Sequence, residues 1–234
     1  MTLSLVAPGT SQTLRSVGRS RPLRPSWRVA IDTRLPDRAI TLPEPGDHLD
    51  PRALYADGLD DVWLELGFGA GEHLLGRARA HPTIGFIGCE PYVNGLAALL
   101  ARADAECLPR IRVFGGDARL LLPALAAASL GKVFMLFADP WPKRRHHRRR
   151  LLQTETLTEI ARVLRPGGEL LFASDHADYV RWTLALATDR LEFSWVAGRP
   201  GDWRDPPAGW IATRYQRKAE ARGGRCYFLQ FRRT

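Results

Sequence analysis

The stretch FADPWPKRRHHRRRL, residues 137–151, sets one acid, Asp139, between an apolar run and a wall of cations. Three more acids stand where apolar runs stop: Glu65 in LELGFGAGE, Glu90 in GCEP and Asp117 in GGDAR. Carboxylates at such points accept hydrogen bonds from hydroxyls and amines, and they attract cations. Lys143 through Arg150 carries the opposite charge, and cations so dense suit phosphates, whose neutralisation gives salt-sensitive affinity without base preference. His146 and His147 fall inside this run and read as surface residues as readily as catalysts.

A glycine turn, Gly67-Phe68-Gly69-Ala70-Gly71, follows the first apolar run and lets the backbone approach a ligand closely. It departs from the nicotinamide fingerprint, because Glu72 stands where a third spaced glycine would be. An acid there also disfavours a pyrophosphate at the following helix N-terminus. Glu90 comes 25 positions after Glu65, near the spacing at which an acid takes ribose hydroxyls. Asp117 ends the third run, where a carboxylate can accept from an adenine amino group. An acid-lined site with no phosphate cradle suits S-adenosyl-L-methionine, which carries adenosine, a sulfonium and an ammonium. For each acid alone the competing role is a helix N-cap; four in register at successive run ends favour a shared site.

Side chains so spaced need a scaffold, and the sequence describes one. VWLEL (62–66), IGFIGCE (84–90), RIRVFG (110–115), VFMLFA (133–138), ELLFAS (169–174) and CYFLQF (226–231) read as strands. Helical stretches lie between them, at 72–80, 91–105, 117–128, 150–164 and 176–188. Continuous apolar strands alternating with helices predict an α/β fold with a mostly parallel sheet covered on both faces. In such sheets ligands sit beyond the carboxyl ends of the strands, where the four acids fall. Residues 1–50 are rich in Pro and Arg and read as a basic, largely irregular arm, with residues 51–234 as the single domain. Arg148, Arg149 and Arg150 are expected at a helix N-terminus, where cations oppose the macrodipole unless an anionic partner binds.

Composition supports the same picture. The 234 residues carry 34 Lys+Arg against 25 Asp+Glu, a net charge of +9 that favours a polyanionic partner. Cys89, Cys107 and Cys226 are too scattered for a zinc site or a disulfide framework, so no metal is expected and a reducing, cytoplasmic setting is. The apolar stretch LLLPALAAASL (120–130) is too short to span a bilayer, so no membrane association is expected.

These blocks resemble the bacterial tRNA (guanine-N7-)-methyltransferases. ELGFGAGEHLL, FIGCEPYVNG, GGDARLLLP, FADPWPKRRHHRRRL, ASDHADYV and TRYQRKAEARGGRCYFLQFRR match that family in order, and LRSVGRSRPLRP (14–25) resembles the basic arm of some members. The resemblance implies a Rossmann-like class I fold with a seven-stranded sheet, and methyl transfer from S-adenosyl-L-methionine to N7 of a guanosine in the tRNA variable loop. It implies that Glu65, Gly67, Gly69, Glu90, Asp117 and Asp139 hold the methyl donor, and that Asp139 is catalytic. Lys143, Asp175 and the segment Thr213, Arg214, Tyr215 and Gln216 would meet the substrate. Arg145, His146, His147, Arg148, Arg149 and Arg150 would touch RNA. No obligate protein partner is implied, and either a monomer or a homodimer is compatible. Two positions depart from the family pattern: Ala138 replaces a proline, and Gln216 replaces a glutamate. Rival readings are a methyltransferase acting on another RNA base and a non-catalytic RNA-binding protein on a degenerate scaffold.

Overall fold

A computed structural model describes residues 22–56 and 58–234. Seven strands make one sheet: β1 (Asp61–Leu66), β2 (Ile84–Cys89), β3 (Ile111–Phe114), β4 (Leu130–Leu136), β5 (Leu164–Ser174), β6 (Phe193–Trp195) and β7 (Tyr227–Arg233). Their order is β3-β2-β1-β4-β5-β7-β6. The first five are parallel, and β7 runs antiparallel to β5 and β6. The helices are α1 (Pro25–Arg34), α2 (Glu72–Ala80), α3 (Val93–Arg102), α4 (Ala118–Ala124), α5 (Thr154–Val163), α6 (Ala177–Thr188), α7 (Gly201–Arg204) and α8 (Arg214–Glu220). The chain steps outward from β1 to β3, then returns to β4 on the other side of β1. That reversal opens a crevice at the carboxyl ends of β1 and β4. Residues of β1 and β2 are buried along their whole length, which is why these segments read as unbroken apolar runs.

Two apolar clusters cover the two faces of the sheet. One holds Leu64, Leu66, Val133 and Leu170; the other holds Trp63, Phe86, Phe134 and Leu171, alternating along the same strands. Among the described residues, no helix is long and apolar enough to cross a membrane.

Four expectations are corrected. The stretch 22–50 is not an irregular arm: α1 buries Ala30 and Ile31, with Leu35 just beyond it. Pro25 starts the helix, and the Arg34 guanidinium donates to the Leu100 and Ala103 carbonyls at the end of α3. The Ile40 N–H then donates to the Val113 carbonyl and the Val113 N–H to the Arg38 carbonyl, so residues 38–40 shield the edge of β3. Trp27, Ala30 and Ile31 carry this helix at i, i+3, i+4, a signal masked by the surrounding Pro and Arg; residues 1–21 lie outside the described residues. Secondly, α4 ends at Ala124, one residue past Pro123, which supplies no N–H and crowds the preceding turn, and β4 starts at Leu130. Thirdly, the sheet gains β6 beyond the six apolar runs of the sequence; its three residues are too few for a periodic signal. Lastly, Arg148 and Arg149 close a 3₁₀ turn, Arg144–Arg149, and α5 begins only at Thr154. The arginines therefore do not sit in the first turn of α5.

Candidate active site

The donor side of the crevice is built from the ends of β1 and β2. Glu65 and His73 are both buried, with the Glu65 carboxylate 2.8 Å from His73 Nδ1. Between them Gly67, Gly69 and Gly71 adopt φ values of 72°, 57° and 77°, a conformation other residues rarely take. Glu90 is fixed by this turn: it accepts from the Gly69 N–H at 2.8 Å and from the Tyr92 N–H at 3.0 Å. Gly95 on α3 completes the clamp, because a Cβ there would overlap the Gly69 carbonyl and the Glu90 side chain. Burial raises the Glu90 carboxyl above its ordinary value; the two backbone N–H groups oppose this, and the charges of Asp139 and Glu65 reinforce it. Three carboxylates thus share one field, and a cation entering among them would relieve it.

The acceptor side is the loop after β4. Asp139 is exposed, and among the described residues nothing hydrogen-bonds or ion-pairs with its carboxylate, yet its charge is felt at Glu90, Tyr92 and Tyr179. Phe137 and Trp141, on either side of it, have φ of 54° and 44°. Left-handed backbone at a non-glycine residue costs on the order of 1–3 kcal/mol. Trp141 meets His146 edge-on at 5.9 Å, and the Arg149 guanidinium lies 4.9 Å over its ring. Lys143, Arg144, Arg145, Arg148 and Arg149 are exposed. His146 is held below the usual imidazole range by partial desolvation and by Arg149, Lys143 and Arg148. His147 packs against Trp182 at 5.7 Å. Arg150 is the exception among the sequence-predicted RNA contacts: it is fully buried, so no phosphate can reach it.

A third wall comes from α8 and the end of β5. Asp175 is exposed just past β5. The Thr213 hydroxyl caps α8 by accepting from the Gln216 N–H at 3.1 Å. Tyr215 stands over the glycine turn, 3.3 Å from where a Gly69 Cβ would lie, and its hydroxyl accepts from Arg214 at 3.0 Å. Gln216 turns inward instead: it accepts from the Trp210 indole at 2.6 Å and donates to Glu220 at 2.9 Å. Each end of its amide thus has one partner within the chain, and the side chain is buried.

Asp117 fits its expected place less simply. It caps α4, accepting from the Arg119 N–H at 2.9 Å, and both its oxygens face the Arg119 guanidinium. Burial raises its carboxyl, but Arg119 outweighs that and holds it below its ordinary value. Sequence reasoning missed His73, Tyr92, Gly95, Arg119 and Trp210. Tyr92 carried a usable signal, an aromatic two residues past a strand-end acid; the others depend on contacts made only in the fold.

Residues 60–229 match the family profile described as "Putative methyltransferase". A tRNA (guanine-N(7)-)-methyltransferase of Rhodospirillum rubrum is 46% identical over 219 residues, covering 92% of this chain and 85% of the relative. One from Rhodopseudomonas palustris is 47% identical over 216 residues, with 92% and 86% covered. The chain belongs to the tRNA (guanine-N(7)-)-methyltransferase family. Among solved structures, the 16S rRNA methyltransferase KamB superposes with a TM-score of 0.55 at 17% identity, covering 77% of this chain and 94% of that one. The 16S rRNA (adenine(1408)-N(1))-methyltransferase of Catenulisporales acidiphilia, solved as a W203A variant with its cosubstrate SAM, gives 0.53 at 17% identity over 76% and 87%. These two establish the methyltransferase fold in an α/β chain of this topology.

Proposed function

We propose that this chain transfers a methyl group from S-adenosyl-L-methionine to N7 of a guanosine in the variable loop of tRNA, in the cytoplasm. The observation that carries this reading is a clamped, buried Glu90 set within the field of an exposed Asp139 that has no partner among the described residues. The donor side fits the cofactor. Glu90 is oriented by two N–H groups and keeps lone pairs for ribose hydroxyls, Gly67 faces open space, and the shared negative field suits a sulfonium and an ammonium. S-adenosyl-L-methionine, when bound, supplies an electrophilic methyl group.

Guanine N7 already carries an in-plane lone pair, so no proton has to leave before transfer. The protein's task is alignment, worth many orders of magnitude when the reacting atoms are held near contact. Asp139 takes two parts: it accepts from the donor edge of the base, and its charge stabilises the cation that forms on the ring. Tyr92 and Tyr215, both about half exposed at the crevice, offer aromatic faces for a base drawn out of its stack. Lys143, Arg145, Arg148 and Arg149 receive the backbone phosphates, with His146 beside them.

The test is methyl transfer from labelled S-adenosyl-L-methionine to unmodified bulk tRNA, read by nucleoside mass spectrometry with Asp139→Asn alongside. 7-Methylguanosine formed by the parent chain and lost in the variant supports the reading. Label on an exocyclic amine would move the chain to another methyltransferase class. Binding of both ligands with no transfer would leave an RNA-binding protein.

A further inference from the structure

We propose that Arg150 is a positioning residue: it holds the Asp139 loop in its working shape and does not contact RNA. The proposal rests on the reading of Asp139 given above. Arg150 ends the basic run, yet it alone among 143–150 is fully buried. Its Nε donates to the Pro140 carbonyl at 2.8 Å, the residue directly after Asp139. Its Nη2 donates to Asp178 and, at 3.1 Å, faces His147 Nε2. The guanidinium lies against the rings of Tyr179 and Trp182, at 5.0 and 5.2 Å.

These partners form a fixed platform. Asp178, Tyr179 and Trp182 share one face of α6 at i, i+1 and i+4. The Tyr179 hydroxyl accepts from the Leu152 N–H at 3.1 Å, and the Trp182 indole donates to the Leu152 carbonyl at 2.9 Å. The Gln153 amide donates to the His147 carbonyl at 2.7 Å, which pins the base of the 3₁₀ turn. Arg150 therefore ties both ends of the 140–150 loop to α6.

That tie meets a need set by the backbone. Phe137 and Trp141 are both held in the left-handed region, and such conformations persist only where the surroundings over-determine them. On the β4 side the Phe137 N–H bonds the Ala173 carbonyl at 2.7 Å; on the far side Arg150 bonds Pro140. Among the described residues, the buried Arg150 Nη1 has no hydrogen-bond partner. A buried guanidinium with an unmet donor is a poor means of stabilisation, since apolar packing would do as well. It is a good means of fixing direction, because its rigid fork reaches a carbonyl and a carboxylate at once. A lysine ammonium on a flexible stem cannot reproduce that fork.

The decisive experiment compares Arg150→Lys with Arg148→Ala and Asp139→Asn in single-turnover methyl transfer at saturating S-adenosyl-L-methionine and tRNA, with tRNA affinity measured separately. Misfolding lowers the amplitude of such a reaction, whereas misplacement lowers its rate constant. Arg150→Lys is expected to cut the rate constant about 10- to 100-fold, as ångström-scale misplacement does, with tRNA affinity kept. Arg148→Ala is expected to weaken tRNA affinity and flatten its salt dependence by a slope of about 1. Should Arg150→Lys fail to fold, Asp178→Asn reads the same tie from its other end, with a smaller fall of the same kind. An unchanged rate constant, or a loss of affinity matching Arg148→Ala, overturns the proposal. If Asp139→Asn itself leaves the rate constant intact, the fault lies in the functional reading rather than in Arg150.

Discussion

The two sides of the crevice solve opposite problems. On the donor side, Glu65 and Glu90 are buried, hydrogen-bonded and clamped by a glycine turn. On the acceptor side, Asp139 is exposed and has no partner among the described residues; two strained residues flank it and exposed cations follow. A small cation of fixed shape can be met by groups oriented in advance, and backbone N–H groups are the cheapest way to orient them. A folded polyanion must enter from outside, so the groups that meet it have to stay open. Backbone strain accordingly appears on the second side, where the free carboxylate needs a defined direction but no partner of its own.

If the contrast holds, substitutions on the two sides separate cleanly. Asp139→Ala is expected to give the largest effect, a fall of roughly 10²–10³ in the single-turnover rate constant, the scale of losing one preorganised electrostatic group. Calorimetric titration should find cofactor affinity little changed; a matching loss of affinity would merge the two sides into one. Glu90→Gln is the converse. It should weaken cofactor binding about 10- to 100-fold, the worth of hydrogen bonds to a charged group, with the rate at saturation less affected. Glu90 also carries a pH signature. Its carboxyl is raised in the free protein, chiefly by burial, and ligand donors and cations favour the ionised form. Binding therefore lowers the pKa and releases a proton, so affinity should decline as pH falls through the raised pKa, above the ordinary 4.5. Titrations in buffers of different ionisation enthalpy would reveal that proton; its absence would mean Glu90 does not meet the cofactor's donors.

The donor side was the more legible from sequence. Glu65, Glu90, the glycine turn and the βα order could be read because local patterns determine them: apolar runs, spacing and punctuation. Asp139 was legible for the same reason, as the acid ending a buried strand. The partners were not. His73 reaches back to Glu65, and Gly95 makes room for Glu90, through tertiary packing that no window of sequence contains. The basic run misled in one place. Arg148, Arg149 and Arg150 are identical as letters, yet the turn of a 3₁₀ segment exposes two and buries the third. Residues 22–50 misled through composition, since Pro and Arg hid a short amphipathic helix that becomes stable only by docking on α3.

The third wall sharpens the comparison on a smaller scale. Gln216 stands where a glutamate was expected, and its amide joins Trp210 to the exposed Glu220. Gln216→Glu would remove the donor to Glu220 and bring a buried carboxylate to hydrogen-bonding distance of an exposed one. A loss of about 1 kcal/mol in chemical denaturation is expected at neutral pH, the net worth of one hydrogen bond, because Glu220 faces solvent. The double variant Gln216→Glu with Glu220→Gln should recover most of it, because the pair again has one donor. Full stability in the single variant would show that the wall is looser than these contacts imply.

The smallest expected effect lies among the cations. His146 is held below its ordinary range by partial desolvation and by Arg149, Lys143 and Arg148, so at neutral pH it is uncharged in the free protein. A phosphate beside it would offset those cations and raise its pKa. Binding then takes up a proton, and by linkage tRNA affinity should rise as pH falls through the interval between the bound and free values. The gain is bounded by the shift, a factor of ten for each unit. His146→Asn should flatten the profile while leaving affinity at high pH in place, since the neutral ring adds no charge there. A profile that keeps its slope in His146→Asn would place the titrating group elsewhere in the loop.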